Sequence, residues 1–145
     1  MLRVAINGYG RIGRLVHRQF IQHYADSVEV VAVNASSDAE MRSYLLKYDS
    51  LHHKLDADIR VEGEDFSVNG KIVRVVKEKD PAKCPWKELN IYVVVESTGN
   101  FDQKKEVEAH LKAGAKKVIV TAPMKDDTPT FVKGVNDDKL TADMD

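Results

Sequence analysis

The sequence is poor in several features, and each shortage excludes a class of protein. A single cysteine, Cys84, excludes an intrachain disulfide and a four-cysteine zinc site. No apolar run approaches the roughly 20 residues that a membrane-spanning helix needs, and the first residues lack the basic and apolar segments of a signal peptide. The 22 basic and 23 acidic residues leave a formal charge of −1, which offers no electrostatic footprint for nucleic acid or an anionic membrane. We therefore expect a cytoplasmic protein with no membrane partner and no primary nucleic-acid role.

The composition and periodicity that are present indicate one globular α/β domain. The 145 residues are 43% hydrophobic and 31% charged, which suffices for one core and is too short for two. Apolar β-type runs predict strands at Leu2 to Asn7, Val28 to Asn34, Ile91 to Glu96, Lys117 to Ala122 and Phe131 to Val135. Helical periodicity lies between them, from Gly10 to about Tyr24, from the S-x-x-E capping box of Ser37 and Glu40 to about Lys47, and from Asp102 to Lys112 before Gly114.

The middle of the chain has a different, alternating pattern. Its β runs are Ile59 to Val61, Phe66 to Val68 and Ile72 to Val76, and Asn69-Gly70 separates the last two. An Asn-Gly pair between two β runs is a strong hairpin signal. The sequence thus predicts a doubly wound, mainly parallel α/β sheet with a small antiparallel excursion. Ligands bind such sheets at the carboxyl ends of the strands.

The turn between the first strand and the first helix has the spacing G-x-G-x-x-G. In a dinucleotide-binding turn, Gly8 permits the tight turn, Gly10 lets the backbone approach the pyrophosphate, and Gly13 lets helix and strand pack closely. The phosphates would face free N–H groups at the positive end of the helix. A merely compact turn could share this spacing, but its place between a first strand and an amphipathic helix favours a bound dinucleotide.

Hydroxyl side chains follow two later strands. Ser97-Thr98-Gly99 comes directly after the strand that ends at Glu96, and Thr121 lies near the end of the next strand. These hydroxyls could hydrogen-bond a ribose or the pyrophosphate. They could also serve only in turns and helix caps, since Asn100 and Gln103 have the N-x-x-Q spacing of a cap. The residues leave both interpretations open.

Six motifs occur in register along nearly the whole chain, from Arg3 to Asn136. They are "INGYGRIGRLV", "LLKYDS" followed by His52, "KDP" preceding Trp86-Lys87, "VVESTGNF", "HLKAGAKKVIVTAP" and "DDTPTFVKGVN". Together they resemble the N-terminal half of phosphorylating glyceraldehyde-3-phosphate dehydrogenases. The resemblance implies a Rossmann-type NAD(P)-binding domain over residues 1–145. It also implies a homotetrameric oxidoreductase of glycolysis and gluconeogenesis, which oxidises and phosphorylates glyceraldehyde 3-phosphate with hydride transfer to NAD(P).

The resemblance also implies roles for individual positions. Arg11 and Ile12 would line the pyrophosphate, and Phe101 would flank the adenine. Lys79 would lie beside the adenine, where the family usually has arginine, and Thr121 would approach the nicotinamide. The candidate cofactor residues are Asn7, Gly8, Gly10, Arg11, Ile12, Gly13, Asn34, Ala35, Ser36, Lys79, Ser97, Thr98, Gly99, Phe101 and Thr121.

The family's catalytic residues are not found among these 145 residues. Its chemistry needs a cysteine thiolate that attacks the aldehyde and a histidine that activates it, and the family's Ser-Cys-Thr-Thr-Asn-Cys motif is absent. Cys84 has no histidine nearby in the sequence. A solvated face or a local hydrogen bond suits each histidine, and none has partners at metal-ligand spacing; the five are His17, His23, His52, His53 (usually glycine in the family) and His110. We expect a cofactor domain that binds dinucleotide without turning over substrate, with its catalytic domain absent.

The end of the second strand departs from the fingerprint and from the family. An acidic residue is expected about 20 residues past the glycines to bind the adenosine ribose, but Ala35 stands there and Ser36 and Ser37 follow. The change removes a charge that would repel a 2′-phosphate, and the serines and Lys79 could bind one. Ser37 could instead be only a helix N-cap, with Asp38 reaching the ribose. The residues favour NADP over NAD.

Three other functions remain open. An erythrose-4-phosphate dehydrogenase would share the same cofactor half. The chain could also be a free-standing NAD(P)-binding module. In that case the gene would not encode the cysteine motif after residue 145. RNA binding through the Rossmann surface is disfavoured by the balanced charge.

Overall fold

The computed structural model describes residues 1–144, in which one seven-stranded sheet, a two-stranded hairpin and three helices are formed. In chain order the elements are β1 (Leu2–Asn7), α1 (Arg11–His23), β2 (Val28–Asn34), α2 (Ala39–Lys47), β3 (Tyr48–Asp49), β4 (His53–Lys54), β5 (Ile59–Glu62), β6 (Asp65–Val68), β7 (Lys71–Val76), β8 (Val93–Glu96), α3 (Lys104–Lys112) and β9 (Lys117–Val120). Short 3₁₀ turns lie at Pro81–Lys83 and Asp137–Lys139.

The strand order of the large sheet is β5-β6-β7-β2-β1-β8-β9. Strands β7, β2, β1, β8 and β9 are parallel to their neighbours in this series. From β1 the chain builds one side of the sheet as far as β7, and then crosses to β8 on the other side. The connections therefore diverge between β1 and β8, where doubly wound sheets have their ligand crevice. The predicted Rossmann-type fold class is confirmed.

The antiparallel excursion is also confirmed. Strand β6 pairs antiparallel with both β5 and β7, and β7 joins this unit to the parallel sheet through β2. Asn69 and Gly70 form the β6–β7 turn with φ of 50° and 79°. Positive φ at both central residues is the geometry that an Asn-Gly pair favours in a two-residue hairpin.

The core consists of two apolar clusters that share the central strands. In β1, Val4 and Ile6 belong to one cluster and Ala5 belongs to the other. Successive strand residues point to opposite faces, so β1 is buried on both faces of the sheet. Tyr9 and Phe66 are among the largest buried side chains of the first cluster, and Trp86 is the largest of the second.

Several predicted ends differ from the observed ones. Strand β8 begins at Val93 rather than Ile91, α3 begins at Lys104 rather than Asp102, and β9 ends at Val120 rather than Ala122. The predicted strand at Phe131 to Val135 is wrong. This segment is a turn closed by the Val135 N–H, which donates to the Val132 carbonyl over 3.0 Å.

The predicted capping box of α2 is wrong by one residue. Asp38 is the N-cap, and its Oδ1 accepts a hydrogen bond from the Met41 N–H at 2.9 Å. Aspartate and serine cap helices about equally well, so the sequence alone did not distinguish Asp38 from Ser37. The Ser37 hydroxyl is buried and has no hydrogen-bond partner in the described residues.

Candidate cofactor site

The candidate site lies where β1, β2 and β8 end side by side. Asn7 is in register with Asn34 of β2 and with Glu96 of β8. The turns that follow these three strands carry most of the candidate residues. The topology thus brings the glycine turn, the Ala35–Asp38 segment and the Ser97–Gly99 loop to one edge of the sheet.

The three glycines of the turn differ in what they contact. Gly8 has φ of 89°, and an added Cβ would lie 2.6 Å from the Thr98 nitrogen. A Cβ on Gly13 would collide with the Gly8 carbonyl oxygen and lie 2.9 Å from Ser97 Oγ. A Cβ on Gly10, by contrast, would meet no protein atom within 4 Å. Protein packing therefore requires glycine at positions 8 and 13, whereas position 10 faces open space that a ligand could fill.

The start of α1 has no side-chain acceptor of its own. Its N-cap is Gly10, no side chain caps it, and its first turn contains no acidic residue. The first N–H groups of a helix have no intrahelical partner and carry partial positive charge. Half of the Ile12 side chain is exposed beside this end. These features fit the pyrophosphate of a dinucleotide.

Arg11 is engaged elsewhere. Its Nη1 lies 3.0 Å from Oδ2 of Asp49, and the Asp49 side chain is 5% exposed. Backbone N–H groups of His52 and Leu51, with a smaller contribution from Arg11, lower the pKa of Asp49 to about 2. The Arg11 side chain thus connects α1 to the β3–β4 hairpin. Its backbone N–H is the first of the helix.

The loop after β8 is fastened to the glycine turn. Ser97 Oγ donates to the Gly8 carbonyl at 2.6 Å, and Thr98 donates both its N–H and its hydroxyl to Glu96 Oε1, at 2.8 and 2.5 Å. Thr121 Oγ1 lies 3.3 Å from the Glu96 carbonyl. These hydroxyl hydrogens are used within the protein, so cofactor contacts of these side chains stay a prediction.

A buried carboxylate links the strand ends, and sequence reasoning missed it. Glu96 is 1% exposed. Its Oε2 accepts from Asn7 Nδ2 at 2.5 Å and lies 2.9 Å from His110 Nε2. Trp86 Nε1 lies 2.9 Å from His110 Nδ1. An indole N–H can only donate, so His110 Nδ1 accepts and His110 Nε2 donates to Glu96.

The donors around Glu96 keep it ionised. Burial raises its pKa, but hydrogen bonds from His110, Thr98 and Asn7 outweigh that effect and the pKa is lowered. A buried charge is tolerated when hydrogen bonds satisfy it. His110 and His17 are both buried with defined partners, so a solvated face is wrong for these two histidines.

The end of β2 is built mainly from protein contacts. Asn34 Nδ2 donates to Asn7 Oδ1 and to the Glu78 carbonyl, each at 2.7 Å, so its side chain connects strand ends. The Ala35 N–H donates to the Val76 carbonyl at 2.9 Å. The side chains of Ser36 and Lys79 are exposed. Phe101 is partly buried beyond the Ser97–Gly99 loop.

Cys84 is not placed for nucleophilic chemistry. It is 4% exposed in the second core cluster, and Asn34 Nδ2 lies 3.7 Å from its sulfur. Burial, together with the charges of Glu78 and Asp80, raises its pKa to about 12. Only a thiolate is a good nucleophile. Across residues 1–144, no cluster of three or more histidine, cysteine, aspartate or glutamate side chains is arranged for a metal ion.

Comparison with known sequences decides the family. Residues 2–104 match the family described as "Glyceraldehyde 3-phosphate dehydrogenase, NAD binding domain". The chain belongs to the glyceraldehyde-3-phosphate dehydrogenase family. It is 49% identical over 141 residues to the glyceraldehyde-3-phosphate dehydrogenase of Priestia megaterium, and 50% identical over 141 residues to glyceraldehyde-3-phosphate dehydrogenase 1 of Bacillus subtilis. Each alignment covers 97% of this chain and 42% of the relative.

A cytosolic glyceraldehyde-3-phosphate dehydrogenase of Trypanosoma brucei brucei is 48% identical over 94% of this chain and 40% of its own length. The chain therefore spans about two fifths of the relatives that it matches. Membership of this family indicates an NAD-binding domain, and the comparisons do not favour the alternative functions. None of the helices within residues 1–144 has the length and apolarity to span a membrane.

Proposed function

We propose that the full-length protein is a phosphorylating glyceraldehyde-3-phosphate dehydrogenase and that residues 1–145 are its cofactor domain. The start of α1 carries this proposal, because Gly10 leaves open space in the turn and no side chain caps the helix. A positive helix end beside the crevice of a doubly wound sheet is the site that a pyrophosphate requires.

The backbone would bind most of the cofactor's phosphate groups. The N–H groups of Arg11, Ile12 and Gly13 are the first of α1, and they would donate to the pyrophosphate. Ser97 would hold the loop after β8 against the turn through its bond to the Gly8 carbonyl. In this proposal Lys79 and Phe101 flank the adenine, and Thr121 lies toward the nicotinamide.

A bound dinucleotide supplies one chemical function, which is to accept a hydride from the substrate. In this proposal the residues described above bind it and orient it. The only cysteine among residues 1–145 is Cys84, which is buried as a thiol. We therefore assign the nucleophile to no residue of this chain, and we expect these residues alone to bind cofactor without turnover.

The proposed activity is tested with the full-length protein, glyceraldehyde 3-phosphate, inorganic phosphate and each dinucleotide. We expect cofactor reduction that requires both the aldehyde and phosphate. Reduction without a phosphate requirement would contradict the phosphorylating reaction, and faster turnover of erythrose 4-phosphate would favour the related dehydrogenase. Light scattering of the purified protein tests the proposed homotetramer, and cell fractionation tests the proposed cytosolic location.

We further propose that the enzyme accepts NADP and prefers it to NAD. Ala35 provides no carboxylate to accept hydrogen bonds from the ribose or to repel a 2′-phosphate. Ala35→Asp should shift the preference toward NAD by at least about tenfold, or about 1.4 kcal/mol. Isothermal titration of the unmodified protein with NADH and NADPH at low salt provides the reference. Much tighter binding of NADH by the unmodified protein would refute the preference.

A further inference from the structure

Three buried side-chain polar atoms lack a hydrogen-bond partner within residues 1–144. They are Nε of Arg14, Oγ of Ser37 and Nε of Arg42. Arg14 lies in the second turn of α1, Ser37 directly precedes the N-cap of α2, and Arg42 lies in the second turn of α2. Buried polar groups are nearly always hydrogen-bonded in native proteins. Three such atoms in residues that start or precede helices α1 and α2 therefore require an explanation.

The two guanidinium groups converge on one backbone atom. Nη1 of Arg14 and Nη1 of Arg42 both donate to the carbonyl oxygen of Tyr9, at 3.2 and 2.9 Å. Tyr9 is the residue between the first two glycines of the cofactor turn. The pair therefore lies beside that turn, and Arg42 reaches it from α2, the helix that follows β2 in the chain.

The other arginines near the turn are satisfied. Arg11 is paired with Asp49 at 3.0 Å, and the buried Arg18 donates to the carbonyls of Leu46, Lys47, His52 and His53. By contrast, Arg14 and Arg42 have no carboxylate oxygen within 4 Å in the described part of the chain.

The two guanidinium groups repel each other. Burial and the charge of Arg14 lower the pKa of Arg42, while charge interactions with Tyr9 and Asp38 offset part of that effect. Asp38 is itself engaged as the N-cap of α2. Placing two cations on one carbonyl is unfavourable unless an anion compensates them.

We propose that Arg14, Arg42 and Ser37 form a receptor for a phosphate monoester, and that its occupant is the 2′-phosphate of NADP. The inference rests on the proposed cofactor function and names the residues that set its specificity. The adenosine ribose of a dinucleotide lies at the end of the second strand, where Ala35 leaves no carboxylate. Guanidinium groups bind phosphate through paired N–H donors, and the Ser37 hydroxyl supplies a further donor. The pyrophosphate has its own site at the start of α1.

The experiment measures binding of adenosine 2′,5′-bisphosphate and adenosine 5′-phosphate to the full-length protein by titration calorimetry at low salt. Arg42→Gln should raise the Kd of the bisphosphate at least tenfold and change that of the monophosphate less than twofold. Arg42→Lys, which keeps the positive charge but lacks the paired N–H donors of a guanidinium, should give an intermediate effect. Arg60→Gln is the matched control, because Arg60 lies on the exposed strand β5 and pairs only with Asp58 in this structure.

The outcomes separate this inference from the proposed function. If the unmodified protein binds neither nucleotide nor NAD⁺, the cofactor function fails and the inference falls with it. If it binds NAD⁺ but Arg42→Gln weakens both nucleotides equally, the cofactor function stands and the 2′-phosphate receptor is refuted. Inorganic phosphate that competes as well as the bisphosphate would identify a free-phosphate site and also refute it. Unfolding curves of each variant confirm that the folded protein is being titrated.

Discussion

The three helices begin at the same edge of the sheet but differ in how their first N–H groups are satisfied. At α2, Asp38 Oδ1 accepts from the Met41 N–H at 2.9 Å. At α3, Asp126 Oδ2 from a later loop accepts from the Lys104 N–H at 2.6 Å. At α1, Gly10 provides no side-chain acceptor and the first turn has no acidic residue. The positive end of α1 is thus the one that these residues leave for an external anion.

The difference between the helix starts has a local cause and a tertiary one. Aspartate at the N-cap satisfies its own helix, so α2 needs nothing else. Glycine at the N-cap leaves α1 open, and Gly8 and Gly13 allow the turn to pack against the loop after β8. The predictions below test this contrast, from the largest expected effect to the smallest.

Gly13→Ala should produce the largest loss of stability. The new Cβ would collide with the Gly8 carbonyl and lie 2.9 Å from Ser97 Oγ, and the backbone of a tight turn cannot move without cost. Overpacking of this kind costs about 1–3 kcal/mol and occasionally more. Urea unfolding of the variant measures the loss, and a variant as stable as the unmodified protein would show that the turn is loosely packed.

Glu96→Gln should destabilise the edge of the sheet where β1 and β8 end and from which helix α1 begins. The amide would retain one acceptor oxygen but present an NH₂ group to donors from Asn7, His110 or Thr98. Disrupting such a buried network costs about 1–3 kcal/mol, and more where a charge is involved. Chemical unfolding at pH 7 checks this value. Glu96→Ala, which removes the side chain beyond Cβ, serves as the comparison.

The pH dependence provides a second readout of Glu96. Its pKa is lower in the folded protein than in the unfolded chain, so folding favours the ionised form. This stabilisation is complete above the unfolded value of about 4.3, and it is lost as the pH falls through the lower folded value. Glu96→Gln should therefore flatten the acid limb of the stability profile below about pH 4. An unchanged limb would show that Glu96 is not the group responsible.

Gly10→Ala and Gly10→Asp should separate ligand binding from stability. Both add a Cβ, which at this position meets no protein atom within 4 Å. Gly10→Ala should weaken NAD(P) binding about tenfold, or about 1.4 kcal/mol, and leave the melting temperature within a few degrees. Gly10→Asp should weaken it further, since its carboxylate would cap α1 as Asp38 caps α2 and would repel the pyrophosphate. Calorimetric affinities equal to that of the unmodified protein would mean that the turn is only structural.

Asp38→Ala should have the smallest effect. It removes the one side-chain cap of α2, which is worth about 1 kcal/mol, and leaves the open start of α1 unchanged. Thermal unfolding should show the lower stability while cofactor affinity stays within about twofold. A large loss of affinity would instead indicate that Asp38 contacts the ribose.

Features that depend on neighbouring residues in the chain were predictable. Asn69-Gly70 has the backbone preferences of a hairpin turn wherever it occurs, and the shift from strand to helix periodicity around Gly8 and Gly13 shows where β1 ends and α1 begins. Where two local signals were nearly equal, the position was wrong by one residue, as with Ser37 and Asp38. The segment Phe131 to Val135 has strand-like residues, but a strand also needs a neighbour to pair with, and within residues 1–144 none pairs with it.

The sequence by itself determined the strands and helices of the parallel sheet, the Asn69-Gly70 turn and the glycine turn, because these follow from backbone sterics and hydrogen bonds within a few residues. Only the tertiary structure decided that Glu96 is buried among Asn7, Thr98 and His110, and that Arg14 and Arg42 meet at the Tyr9 carbonyl. These contacts depend on which strands and helices become neighbours. The physical reason is that a charged side chain far from its partners in sequence has no local pattern; its environment exists only once the sheet has brought the strand ends together.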